Sequence, residues 1–214
     1  MRVSPIVWIY FLPPAIIAAI LSFIGWWLGG VPFALIALYT LFFFRDPERK
    51  PPSIPGALVA PADGKIDEVT IVEHDDFPDG KAFKVGIFLS IFDVHVNRAP
   101  TAGTLVKRKR TPGSFISAMN PGSSDVNARN QLDFKTPFGP MIVIQIAGLV
   151  ARRIISSIKL GQKVEHGQRI GLICFGSRTE LFFPTNAVLK VKPGMRAKGG
   201  ETVIAVMPGA AKTD

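Results

Sequence analysis

Residues 159–170 read KLGQKVEHGQRI and residues 192–203 read KPGMRAKGGETV. At an offset of 33, Gly161 falls on Gly194 and Gly167 on Gly200, so each copy carries two glycines six apart. Glycine tolerates the backbone conformations of tight turns, and this spacing suits two turns flanking a short strand. The duplicated unit predicts a mainly β fold, a sandwich or barrel built from two similar halves.

The segments around the repeat agree. KIDEVTIVEH (65–74) alternates polar and apolar residues, FKVGIFLSIF (83–92) is densely apolar, and MIVIQIAGLVARRII (141–155) is long and β-branched. Glycine and proline punctuate them at short intervals, as in all-β domains. Ser114–Met119 is the one candidate helix, and a weak one. Duplicated halves of this kind resemble the barrel-sandwich hybrid of lipoyl- and biotin-carrier domains, a likeness of fold and not of function.

The N-terminus is different. From Val3 to Phe44 no residue is charged, whereas residues 45–214 hold 24 basic and 16 acidic groups, most of the chain's net charge of +9. Ile6–Leu28 would span roughly 34 Å as a helix, against a bilayer core of roughly 30 Å. Pro13-Pro14 and Gly29-Gly30 interrupt the apolar stretch, so two short helices or a shallow insertion fit as well as one span. Arg45, Arg49 and Lys50 follow directly, which places the domain after them on the cytoplasmic side of a cell membrane, with peripheral or monotopic attachment. The expected organisation is an apolar membrane segment over 1–44, a proline-rich linker over 45–60 and a β domain over 61–214. The basic residues show no aromatic interleaving, so nucleic acid is not the expected partner. One cysteine, Cys174, excludes a disulfide framework and a cysteine-based zinc cluster.

Three histidines are available for chemistry. His74, among acids in a turn, reads as solvated, and His166, opposite Gly199 in the repeat, as structural. His95 follows an apolar run and sits in Asp93-Val94-His95-Val96-Asn97-Arg98, a strand end crowded with polar groups. No histidine pair has metal-ligand spacing, so no metal is expected. Asp63 lies in the turn Pro61-Ala62-Asp63-Gly64. Gly176-Ser177, between apolar strands, reads as a turn or bulge, or as a peptide bond at which the hydroxyl reaches back to the glycine carbonyl. An N→O acyl shift there, followed by elimination and hydrolysis, leaves a pyruvoyl group on the new N-terminus.

Taken together the motifs resemble the phosphatidylserine decarboxylase family, in its short membrane-associated form. FFFRDPER (42–49), PADGKI (61–66), LSIFDVHVNRAPTAG (89–103), Asn127-Ala128-Arg129-Asn130, AGLVARRI (147–154) and GQRIGLICFGSRTELFFP (167–184) occur in family order. The resemblance implies self-cleavage between Gly176 and Ser177, giving a β chain of residues 1–176 and an α chain of 177–214 that remain associated. It implies a covalent pyruvoyl cofactor made from Ser177, which forms a Schiff base with the amine of phosphatidylserine and serves as electron sink. The product is phosphatidylethanolamine. Asp63 and His95 are the residues it carries over as catalytic. Arg98 and Arg178 are candidates for the lipid phosphate, as are Arg152 and Arg153. Two departures stand out: Ala128 replaces an acid, and Arg98 occupies the place of a second histidine, so that either His95 serves both cleavage and decarboxylation or the base for cleavage is supplied differently.

Archaetidylserine is an alternative substrate for the same chemistry, and a homo-oligomer is an alternative to a monomer. From the residues alone, a membrane-tethered serine hydrolase using Asp63, His95 and Ser177 is a rival, although the G-x-S-x-G elbow is missing. A carrier module is another, although residues 171–189 offer no lysine for a prosthetic group.

Overall fold

The computed structural model describes residues 2–116, 123–148, 153–174 and 176–209. They divide into two units, Met1–Glu48 and Arg49–Asp214.

In the first unit, β1 (Arg2–Val3) and β2 (Arg45–Asp46) pair antiparallel and bracket α1 (Val7–Phe23) and α2 (Trp27–Phe43). The apolar stretch therefore folds as a helical hairpin, and no continuous helix runs over 6–28. Gly25, with φ +82°, stands at the reversal. Pro13 and Pro14 lie inside α1 without ending it. The helices approach closely at Gly30, where a Cβ would lie 3.0 Å from the Ala18 carbonyl oxygen. Each helix has 17 residues, roughly 25 Å at 1.5 Å per residue. Among the described residues no helix is long and apolar enough to cross a membrane. The hairpin nevertheless exposes Trp8, Ile16, Phe23, Trp26, Trp27 and Leu35, with Phe23 at 92%.

The second unit is antiparallel throughout its named strands. An eight-stranded sheet takes the order β11 (Lys163–Val164), β7 (Gly103–Thr111), β8 (Arg129–Thr136), β9 (Gly139–Ile146), β13 (Ser177–Pro184), β5 (Lys81–Leu89), β4 (Gly64–Glu73), β15 (Arg196–Ala197). Two three-stranded sheets complete it, β10 (Ile154–Ser156) with β12 (Arg169–Ile173) and β6 (Val96–Arg98), and β14 (Val188–Leu189) with β16 (Val203–Val206) and β3 (Ala57–Val59). The expected long strand after Met141 ends at Ile146, and strand resumes at Ile154. The expected helix at 114–119 is not formed over Ser114–Ile116, where Ser114 bridges Asn127, and 117–119 lie outside the described residues. Among the described residues of this unit the helix is a single turn, α3 (Ser123–Val126). Within the proline-rich stretch 45–60, Ala57–Val59 forms β3.

The repeat is larger than its glycines indicated. Ala60-Pro61-Ala62-Asp63-Gly64 before β4 corresponds to Ala99-Pro100-Thr101-Ala102-Gly103 before β7. The hydrogen bonds are duplicated too. Val59 N donates to Pro100 O as Arg98 N donates to Pro61 O, and Gly200 N donates to Ala60 O as Gly167 N donates to Ala99 O. Gly194 N to Ile66 O matches Gly161 N to Leu105 O, each 2.8 Å. Even the bulges coincide, between Ile66 and Glu68 in β4 and between Leu105 and Lys107 in β7. Paired bulges bend a sheet at matching places, and Ile66, Val85, Ile87, Leu105, Leu132, Val143, Leu181 and Phe183 fill one core against its inner face.

Candidate active site

Ser177 opens β13, a strand held on both sides by β5 and β9. Gly176, at φ +56°, precedes it in a conformation that favours glycine. The Ser177 hydroxyl is fully buried and has no hydrogen-bond partner among the described residues. A buried hydroxyl left unpaired costs stability, so its position answers to something other than folding.

His95 is fully buried beside the strand end preceding Gly176: Ile173 N donates to the His95 carbonyl. Its Nδ1 donates to the Asp93 carbonyl oxygen at 2.9 Å. A carbonyl only accepts, so in the neutral ring the proton sits on Nδ1 and the basic lone pair on Nε2. Asp93 is pinned in turn, its Oδ2 accepting from Ser90 N and Ser90 Oγ and its Oδ1 from Arg196.

Asp63 is placed differently from the expected triad. Arg49 grips it with two bonds, Nη1 to Oδ1 at 2.5 Å and Nη2 to Oδ2 at 2.7 Å, and Gly199 N donates to Oδ1 at 2.8 Å. Arg49 also donates to the Gly199 carbonyl. The carboxylate thus fastens a turn of the second repeat copy, and the imidazole is oriented by Asp93.

The geometry does not support Arg98 and Arg178 as substrate ligands. Arg98 is 4% exposed, donates to the Gly167 carbonyl, and lies where a Cβ on Gly200 would sit 2.7 Å from its Cδ. Arg178 points to the opposite face of β13 from Ser177. There its guanidinium meets Asp67, Glu68 and Glu180, and Lys84 bridges the last two at 3.1 Å each. Burial alone would lower both cations, but these carboxylates outweigh it and hold each above its ordinary value. Ser124 Oγ on α3 donates to Glu180 at 2.7 Å. Arg152 lies outside the described residues. Of the remaining histidines, His74 meets Phe77 and Phe182 edge-on, and burial lowers the pKa of His166.

Sequence reading missed a buried amide row. Asn130 Nδ2 donates to Gln145 Oε1 (2.8 Å), Gln145 Nε2 to Asn97 Oδ1 (2.7 Å), and Asn97 Nδ2 to Thr179 Oγ1 (3.0 Å). All four side chains are at most 1% exposed. The signal was present as polar residues at inward positions of otherwise apolar strands, as in Ile144-Gln145-Ile146.

The family model for phosphatidylserine decarboxylase matches residues 36–205. The chain belongs to the phosphatidylserine decarboxylase family. Curated relatives named phosphatidylserine decarboxylase proenzyme include that of Symbiobacterium thermophilum, 43% identical over 193 residues (90% of this chain, 89% of the relative). That of Desulfotalea psychrophila is 43% identical over 173 residues (80% and 81%), and that of Carboxydothermus hydrogenoformans 40% over 201 residues (94% of each). Members of this family are carboxy-lyases. Among the described residues no group of three or more histidine, cysteine, aspartate or glutamate side chains could hold a metal ion.

Proposed function

We propose that the chain is a proenzyme that cuts itself between Gly176 and Ser177 and then decarboxylates phosphatidylserine to phosphatidylethanolamine and CO2. The observation that carries this reading is the Ser177 hydroxyl, buried and unpartnered directly after Gly176 at φ +56°. A serine in a hydrolase needs access to substrate before any cut. A serine that attacks its own peptide needs only the preceding carbonyl.

His95 Nε2 takes the Ser177 Oγ proton as Oγ attacks the Gly176 carbonyl carbon, and the acyl group moves from nitrogen to oxygen. Loss of the Ser177 Cα proton expels the Gly176 carboxylate. Addition of water then releases ammonia and leaves a pyruvoyl N-terminus. The site fits such a group: it is fully buried, and Thr179 brings a hydroxyl to the same face of β13. A pyruvoyl group supplies a carbonyl for the substrate amine and a sink for the electron pair left by CO2. His95, with Arg98 where a second histidine would stand, also returns the proton to the substrate carbon. Because β13 lies between β5 and β9, the α chain of 177–214 stays bound to the β chain of 1–176 after the cut. The exposed apolar hairpin rests in the lipid surface from which substrate comes, with Arg45, Arg49 and Lys50 on the cytoplasmic side.

Intact mass of the purified protein tests the reading. Two chains, the smaller with a blocked N-terminus, and release of CO2 from carboxyl-labelled phosphatidylserine are expected, whereas Ser177→Ala leaves one inactive chain. Efficient cleavage of the alanine variant would overturn the mechanism.

A further inference from the structure

A cavity of about 430 Å³ opens beside the cleavage point, rimmed by Arg110, Arg129 and Arg153 and floored by Ala128, Asn130 and Ala147. Its place follows from strand register. Arg110 pairs with Asn130, Asn130 with Gln145, and Gln145 with Thr179, one row across β7, β8, β9 and β13. Ala147 continues β9 two residues beyond Gln145, level with Ser177 two residues before Thr179. Residues two apart share a sheet face, so the cavity and Ser177 lie on the same one.

Arg110 and Arg153 differ from Arg98 and Arg178. Neither has a carboxylate partner among the described residues. Arg129 adjoins Asn130 along β8 and turns to the other face, where its Nη1 donates to the Ser124 carbonyl. Two guanidinium groups at one cavity, without a carboxylate partner among the described residues, suit a phosphate or carboxylate, which they bind through paired N–H donors. A second observation lies in the floor. Asn130 is 1% exposed, and its Oδ1 has no hydrogen-bond partner among the described residues, so a buried acceptor awaits a donor.

The polarity of the amide row is fixed by its far end. Asn97 Nδ2 faces the Pro61 carbonyl at 3.5 Å as well as Thr179, and only an NH2 belongs against a carbonyl. Asn97 Oδ1 therefore faces Gln145, Gln145 donates, and Asn130 donates in its turn. Every donor points toward Thr179, and the vacant acceptor is left at the cavity end.

We propose that this cavity receives the headgroup of the lipid substrate, its phosphodiester held by Arg110 and Arg153, with the amide row fixing the depth of entry relative to Ser177. The inference rests on the decarboxylase reading and adds the binding site that reading lacks. Arg110 and Arg153 are exposed, so substitution there leaves the core intact.

The test compares Arg110→Gln, Arg153→Gln and the control Lys109→Gln, an exposed neighbour on the opposite face of β7 that removes the same charge. KM for detergent-dispersed phosphatidylserine, competition by inorganic phosphate, and chain cleavage by intact mass are the readouts. Each arginine variant should still form both chains, raise KM about tenfold and weaken phosphate competition. Arg→Lys should recover part of the loss, and Lys109→Gln should leave KM unchanged. Unchanged KM in the arginine variants, an equal rise in Lys109→Gln, or failure of phosphate to compete in the unsubstituted enzyme would each overturn the site. A cleaved, unsubstituted enzyme that releases no CO2 from the lipid would instead defeat the decarboxylase reading.

Discussion

Asp63 shows how one carboxylate reads differently in sequence and in space. Motif resemblance pairs it with His95, but its oxygens are taken by Arg49 and by the Gly199 amide, while Asp93 orients the imidazole. Arg49 and Asp63 expose only 8% and 13% of their side chains. Removing one member of such a pair strands the other, at about 3 kcal/mol. Arg49→Gln and Asp63→Asn should therefore each lower the urea midpoint, and the double variant should lose well under the sum, with a coupling above about 1 kcal/mol. If Asp63→Asn instead blocks cleavage at unchanged stability, the carboxylate acts in the chemistry and not through the turn it fastens.

At the scale of elements, β12 is the strand on which the interior depends. It joins β10 to β6, carries a register shift between Arg169 and Gly171, and ends at Ile173, three residues before Gly176. Gly171 is needed there. A Cβ would collide with the Ile155 carbonyl and sit 2.9 Å from Gln145 Nε2 in the amide row. Gly171→Ala should cost about 1–3 kcal/mol by overpacking, read as a lower thermal midpoint. Because the same methyl displaces Gln145, the variant should also slow CO2 release after cleavage. A midpoint within a degree of the parent would show that β12 shifts freely, contrary to the packing.

For the whole molecule, the proposed function asks for two separable attractions to lipid, one from the hairpin and one from the basic β unit. Burial of exposed Trp26, Trp27, Phe23 and Ile24 is apolar and insensitive to salt, whereas the charge on residues 45–214 is screened. The full chain should sediment with anionic vesicles even at high salt. Residues 45–214 alone should sediment at low salt and be released as salt rises. A full chain wholly in the supernatant at low salt would remove the hairpin from the mechanism.

The sequence by itself determined whatever depends on near neighbours along the chain. Glycines six apart twice over, alternation in 65–74 and an uncharged stretch of 42 residues gave a duplicated β fold and an apolar head. Ordered motifs pointed to Ser177 and His95. The tertiary structure alone decided which polar groups meet. Arg98 and Arg178 look like ligands in the sequence because most of a cation's partners are not written beside it; Glu180 is two residues from Arg178, but Gly167, Asp67 and Glu68 lie 69 to 111 residues away from the arginines they meet. The amide row joins residues from four strands and the arginine-rimmed cavity draws on β7, β8 and β9–β10, so each exists only once strand register is set. Register is a property of the assembled sheet, fixed by which faces bury their apolar residues.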